Sequence, residues 1–168
     1  MSDIILKHID VNDGIEVLDM IREIGPGENG FENRYYDMPI AFFSEFKKDR
    51  VNEAKGIGLL PGYVRQSFYI LYIEGKPVGC SKLRHSLTNN LLKKGGHIGY
   101  SIRPSEREKG YGNIILKETL KKAKKLKLNK VLVTCNEDNI ASSKIIEYNG
   151  GVLKNIDEGI CRYWIKVL

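Results

Sequence analysis

Apolar residues recur along the chain in two rhythms, near every third or fourth position and near every second, and the changes between them mark out elements. Asp3 to His8 alternates weakly, as an edge strand does. From a cap at Asn12 or Asp13, residues Ile15, Leu18, Ile21 and Ile24 fall on one helical face. Gly25, Pro26, Gly27 and Gly30 break that helix and open a polar and aromatic loop, Glu28 to Asp37. A second helix is predicted from about Pro39 to Ala54, with its proline in the first turn. After a loop from Gly56 to Gly62, strands Gln66 to Ile73 and Pro77 to Arg84 flank Glu74-Gly75-Lys76 as a β-hairpin.

A polar insert, Ser86 to Lys94, leads to a strand from His97 to Ile102. The next helix opens near Gly110 and runs to about Lys127, its stripe made of Ile115, Leu116, Leu120, Ala123 and Leu126. Val131 to Cys135 is an apolar run suited to a strand covered on both faces. A helix capped by Asp138 or Asn139 continues to Tyr148 and stops at Asn149-Gly150-Gly151. Val152 to Asn155 and Ile160 to Val167 form a last hairpin around Glu158-Gly159. The order β-αα-ββ-β-α-β-α-ββ predicts a mixed α/β (α+β) sheet in one domain spanning residues 1–168.

Composition agrees with a domain that carries its own core: 42% of the residues are apolar and 29% charged. The apolar runs are far shorter than the roughly 20 residues that cross a bilayer, and the N-terminus lacks a signal-like pattern. Cys80, Cys135 and Cys161 are odd in number and scattered, which suits reduced packing residues in a cytoplasmic protein better than a disulfide frame or a metal site. The positive excess, 27 Lys and Arg against 21 Asp and Glu, gathers partly between Lys117 and Lys130. That stretch is a solvated helix face or a face toward a phosphate-rich molecule. It lacks the aromatic interleaving and recognition motifs of a nucleic-acid binder.

The chemistry concentrates in Gly99 to Asn113, a strand followed by Arg103-Pro104-Ser105-Glu106 and then Arg107-Glu108-Lys109-Gly110-Tyr111-Gly112-Asn113. Gly110 and Gly112 stand where the chain turns into a helix, so backbone N–H groups can approach a ligand closely. A helix start offers unpaired donors and partial positive charge, and Arg107 and Lys109 stand beside it, so the segment reads as a diphosphate cradle. The Walker pattern is absent, and Ile115 stands where a dinucleotide fingerprint needs its third glycine.

Arg107-x-x-Gly110-x-Gly112 resembles the R/Q-x-x-G-x-G/A acetyl-CoA motif of the GNAT N-acetyltransferase superfamily. Tyr100-Ser101-Ile102-Arg103-Pro104 before it and Tyr111 within it match that context. Asn139-Ile140-Ala141-Ser142, ending at Asn149-Gly150-Gly151, resembles the family's second CoA-side motif, and the element order matches over nearly the whole chain. The resemblance implies a central, mostly antiparallel sheet flanked by helices. It also implies acetyl-CoA as co-substrate without a metal, and acetyl transfer to a primary amine of a small molecule or peptide by direct attack. A sensor or scaffold that binds acyl-CoA without turnover is the alternative.

By that resemblance residues 107 to 112, with Asn113, would hold the pyrophosphate, the strand up to Ile102 and Arg103 would pair with the pantetheine arm, and Asn139 and Ser142 would face its other side. The proton donor of many relatives, a tyrosine seven residues after the motif asparagine, is Ile146 here, and Tyr148 lies about 200° further around the helix. His97, at the start of the strand leading to the motif, is the first candidate base, and His85 the second; each can equally be a structural histidine, as His8 is expected to be. Glu32, Tyr35, Tyr36 and Asp37 fall in the region that lines the acceptor pocket of relatives, where the carboxylates could receive a cationic amine. Arg84 could bind a substrate carboxylate or pair with a surface acid. Asn136 and Glu137 could also reach the cleft. The sequence fixes no oligomeric state, a homodimer being compatible with it.

Overall fold

The structure, a computed structural model, describes residues 3–27 and 31–168, so Glu28 to Gly30 of the first long loop lie outside it. In chain order the elements are β1 (Ile4–His8), α1 (Ile15–Ile24), α2 (Phe43–Ala54), β2 (Gln66–Ile73), β3 (Lys76–Arg84), α3 (Asn89–Lys93), β4 (Ile98–Ile102), α4 (Tyr111–Lys125), β5 (Lys130–Asn136), α5 (Ile140–Tyr148), β6 (Val152–Asp157) and β7 (Ile160–Lys166). Among the described residues the strands form one sheet ordered β1-β2-β3-β4-β5-β7-β6. Every pairing is antiparallel except β4 with β5. No helix among the described residues is long and apolar enough to cross a membrane.

The predicted elements form, with local differences. Pro39 precedes a 3₁₀ turn, Ile40–Phe42, and α2 begins only at Phe43. Asp13 does not cap α1: its carboxylate accepts from Asp10 N–H and the Tyr72 hydroxyl and pairs with Lys7, tying the turn to the sheet. Ile15 is exposed, and Val17 and Met20 join Leu18, Ile21 and Ile24 in the core. The polar insert contains a short helix, α3, because Thr88 caps it by accepting from Leu91 N–H at 3.2 Å. Leu126 lies past the end of α4 and is exposed, while Thr119 completes the buried stripe by bonding Ile115 O and Ser81. The three cysteines are free thiols, all buried.

Two cores sandwich the sheet. Helices α4 and α5 cover one face, where Ile115, Leu116, Ala123 and Ile146 meet Leu83, Ile98, Val131 and Val133. Helices α1 and α2 cover the other, where Leu18, Ile21, Phe43 and Phe46 meet Phe68, Ile70 and Cys80. Strand alternation does the sorting. Ser81 and Leu83 of β3 face α4, so Cys80, Lys82 and Arg84 face the α1–α2 side.

The feature that positions the site is the weak join between β4 and β5. Among the described residues Ile98 opposite Val133 is the one registered pair, supported by His97 N–H donating to Leu132 O at 2.8 Å. Toward Ile102 the two strands are not paired, and a wedge opens in mid-sheet.

Candidate active site

The wedge is part of a continuous cleft of about 1130 Å³ that crosses the molecule. One lobe lies along the C-terminal half of β4, the start of α4 and the start of α5, lined by Tyr100 to Ile102, Arg107, Glu108, Gly110 to Asn113, Asn139 and Ser142. The other lies under α2 and the loops beside it, lined by Phe31, Glu32, Tyr35, Glu53, Tyr63, Gln66, Lys82 and Arg84.

In the first lobe Gly110 holds φ 83° as the residue preceding α4, a left-handed conformation that glycine adopts freely, and a side chain built there would project into open space. Gly112 serves packing: a Cβ there would meet Ile145 Cδ1 at 2.9 Å, so the glycine lets α4 and α5 approach. Arg107 folds back so that Nε donates to Ile102 O at 2.9 Å, which braces the loop against β4. Arg103 N–H donates to Val78 O, so by strand alternation the N–H groups of Ile102 and Tyr100 turn away from β3 toward the wedge. Asn139 caps α5 by accepting from Ser142 N–H at 3.1 Å. The Tyr100 hydroxyl meets Ser142 Oγ at 3.3 Å, and burial pushes that phenol up to about 12. A helix start with an open glycine, a strand edge with free donors and an apolar wedge suit a long ligand bearing a diphosphate at one end.

Two residues expected to hold that ligand do not line the cleft. Arg103 bonds Pro77 O and Glu23, and Lys109 bonds Glu106 at 2.7 Å. Both therefore fasten the loop to its surroundings. Lys76 also bonds Glu106, and these cations hold the Glu106 carboxyl below its ordinary range.

The candidate bases are placed elsewhere as well. His97 is buried between β4 and β5, with Nδ1 accepting from Leu132 N–H at 2.9 Å and the ring edge-on to Trp164. With that lone pair engaged, the neutral ring carries its proton on Nε2 and has no acceptor to spare. Burial, aided by Arg84, lowers its pKa to about 4. His85 bonds Ser67 Oγ through Nε2 at 2.9 Å, and neither histidine lines the cleft. His8 bonds the carbonyl of the next residue, Ile9, through Nδ1 and accepts from Phe68 N–H through Nε2.

Of the residues suggested for the acceptor, Glu32, Tyr35 and Arg84 line the second lobe, whereas Tyr36 is exposed and Asp37, like Tyr36, is not part of it. Asn136 and Glu137 border a small separate depression with Asp138 and Gly159. Glu53, at the end of α2, accepts from Gln66 Nε2 at 2.9 Å, and its other oxygen faces Arg50 Nε at 3.2 Å. Burial raises this carboxyl's pKa despite Arg50. Lys82 sits over the rings of Phe31 and Tyr35 and donates to Glu32 O at 3.1 Å; burial lowers its pKa. Glu53 and Lys82 do not stand out in the sequence, and Tyr100 does so only as part of the strand before the motif, not for its hydroxyl. A lysine and an arginine two apart on a strand otherwise facing the core were the available signal for Lys82.

A family model described as an acetyltransferase (GNAT) domain matches residues 46–152. No curated protein matches the chain in sequence. Among solved structures, the N-acetyltransferase PseH of Campylobacter jejuni in complex with acetyl coenzyme A is 15% identical with a TM-score of 0.65, covering 98% of this chain and 99% of that one. The ribosomal-protein-S5-alanine acetyltransferase of Vibrio fischeri is 14% identical with a TM-score of 0.70, covering 99% and 96% respectively. At these identities the two structures testify to the fold.

Proposed function

Because the chain belongs to the GNAT acetyltransferase family, we propose that it moves an acetyl group from acetyl-CoA to a primary amine of a small molecule or peptide by direct attack. The observation that carries this reading is the single cleft joining the cradle at Gly110 to an acceptor lobe at Glu53 and Lys82. The residues present fit the co-substrate: the left-handed Gly110 leaves the cradle open, and the β4–β5 wedge leaves Ile102 and Tyr100 N–H groups for an added strand-like arm. When bound, acetyl-CoA supplies an acetyl group activated as a thioester.

The protein's own groups then divide the work. Backbone N–H groups before α4 bind phosphate, and the Ile102 or Tyr100 N–H polarises the acetyl carbonyl. Glu53, its pKa raised by burial, takes the ammonium proton through water and leaves a nucleophilic amine. The Tyr100 hydroxyl, held by Ser142 on the α5 side, supplies the hydrogen bond to the departing sulfur that a tyrosine at position 146 would give. Ile146 is wholly buried and Tyr148 is almost wholly exposed, so neither can. Tyr100→Phe should lower kcat about tenfold with KM for acetyl-CoA little changed, in steady-state assays of CoA release.

Thermal unfolding with acetyl-CoA, followed by CoA release against a panel of amines, tests the proposal. At about 100 times its Kd the co-substrate should stabilise the fold by about 2.7 kcal/mol, which Gly110→Val should abolish by forcing a branched residue into a left-handed conformation at the cradle. No stabilisation of the folded protein would sink the co-substrate assignment. Stabilisation without turnover of any amine would favour the sensor or scaffold.

A further inference from the structure

We propose that the amine acceptor also carries an anionic group, a carboxylate or a phosphate, which Lys82 and Arg84 hold in the second lobe. The inference rests on the transferase reading and adds the chemical class of its acceptor.

Two cations of the second lobe have no carboxylate in contact with them among the described residues. Lys82 and Arg84 stand two apart on β3, so both point to the α1–α2 side and both line the cleft. Among the described residues neither has a carboxylate within ion-pair distance. Lys82 Nζ donates to the carbonyl of Glu32, and Arg84 Nη1 donates to the carbonyls of Gly95 at 3.2 Å and Gly96 at 3.1 Å. The carboxylates of the lobe are engaged by other arginines: Glu32 by Arg34 at 3.6 Å and Glu53 by Arg50 at 3.2 Å. Burial disfavours the charged form of Lys82 and of Arg84 alike. Glu53 acts on both cations, and Glu32 on Arg84, only from beyond ion-pair distance, and burial outweighs that help, so an anionic ligand in contact with them lowers the cost of their desolvation.

There is room for such a ligand. The cleft that Lys82 and Arg84 line reaches Gly99, directly across from Lys82 on β4, where a Cβ would already touch the Phe31 ring at 3.6 Å, so the glycine keeps that wall clear of a side chain. The counter-charge does not come from the diphosphate end of the co-substrate. Gly99 and Ile102 are three residues apart on one strand, roughly 10 Å, and the cradle lies beyond Ile102. Arg and Lys side by side recognise carboxylate and phosphate oxygens through charge-assisted hydrogen bonds. With Glu53 in the same lobe, the site complements an acceptor bearing an ammonium and an anion together. The carboxylates expected to draw in a purely cationic amine, Glu32 and Asp37, are respectively paired with Arg34 and outside the lining.

The test compares matched acceptors with acetyl-CoA: an amino acid against its amide, and an amino-sugar phosphate against the free amino sugar. The anionic member of at least one pair should be favoured about 30-fold in kcat/KM, and the pair showing the larger preference tells carboxylate from phosphate. Lys82→Met should bring that preference close to parity through KM, with kcat little changed, and Lys82→Arg should restore it. Lys82→Gln serves if Lys82→Met does not fold. Equal use of both members, or a preference for the neutral amine, would overturn the anion site while leaving the transferase standing. Loss of kcat at unchanged KM in Lys82→Met would also overturn it, because Lys82 would then act in the chemistry. If no amine is turned over, the transferase reading fails and calorimetry decides the anion site. CoA-saturated protein is titrated with N-acetylglycine and with N-acetylglucosamine 6-phosphate. Binding of either that Lys82→Met weakens about tenfold upholds the site; no binding, or binding that Lys82→Met leaves unchanged, overturns it.

Discussion

Glu53→Gln is expected to slow acetyl transfer by about 10²-fold or more while leaving acetyl-CoA binding intact. The amide has the size of the carboxyl and can still accept from Gln66 Nε2, so the end of α2 keeps its contact with β2. What disappears is the proton acceptor, and with it, among the described residues, the only carboxylate lining the lobe that is not exposed. The pH profile makes the test specific. Burial raises the Glu53 pKa above the ordinary 4.5, so in the wild type kcat/KM should fall on acidification at a higher pH than a free carboxylate would give. That limb should be missing in Glu53→Gln and partly restored in Glu53→Asp. A variant retaining wild-type kcat would remove Glu53 from the mechanism and return the proton to water alone.

The second large effect concerns stability in acid. His97 has its pKa lowered from 6.5 to about 4 by burial and by Arg84, so it is neutral in the folded protein where it would be charged in the unfolded chain. Between those two values the unfolded state binds more protons. The stability contributed by the neutral ring is therefore fully present above about 6.5 and is lost progressively as pH falls toward 4, by about 3 kcal/mol in all. Burial also lowers the pKa of His8 and of His85, which adds to the loss in the same direction. Denaturant unfolding at a series of pH values should show the decline. His97→Asn, whose Oδ1 can still accept from Leu132 N–H, should flatten it even if the variant is less stable at pH 7. An unchanged slope in that variant would show that other groups cause the acid sensitivity.

His97 also shows where sequence reasoning reaches its limit. Its place ahead of the phosphate motif is visible in the sequence, but its role depends on β5, more than thirty residues later, presenting Leu132 N–H to the ring. Alternation along a single strand cannot report what the neighbouring strand offers. Arg103 and Lys109 teach the same lesson: the resemblance sets Arg103 at the pantetheine arm and Lys109 at the phosphate, yet Glu23 on α1 and Glu106 engage them. Glu53 carries no signal in the sequence and Lys82 only its spacing from Arg84, because each becomes informative only when α2 and β3 are brought to the same cleft.

What the sequence determined by itself is local and periodic. The alternations and stripes set the strands and helices, the glycines at 110 and 112 set the turn into α4, and Asn139 sets the cap of α5. Each follows from propensity, capping or backbone freedom within a few residues, and together they carry the fold and the family. The tertiary structure alone decided the wedge between β4 and β5, the burial of His97, the engagement of His85 by Ser67, and the meeting of Glu53, Lys82 and Arg84 in one lobe. These depend on which strands adjoin and how far each charge is removed from water, and both are settled only when residues distant in the chain pack together.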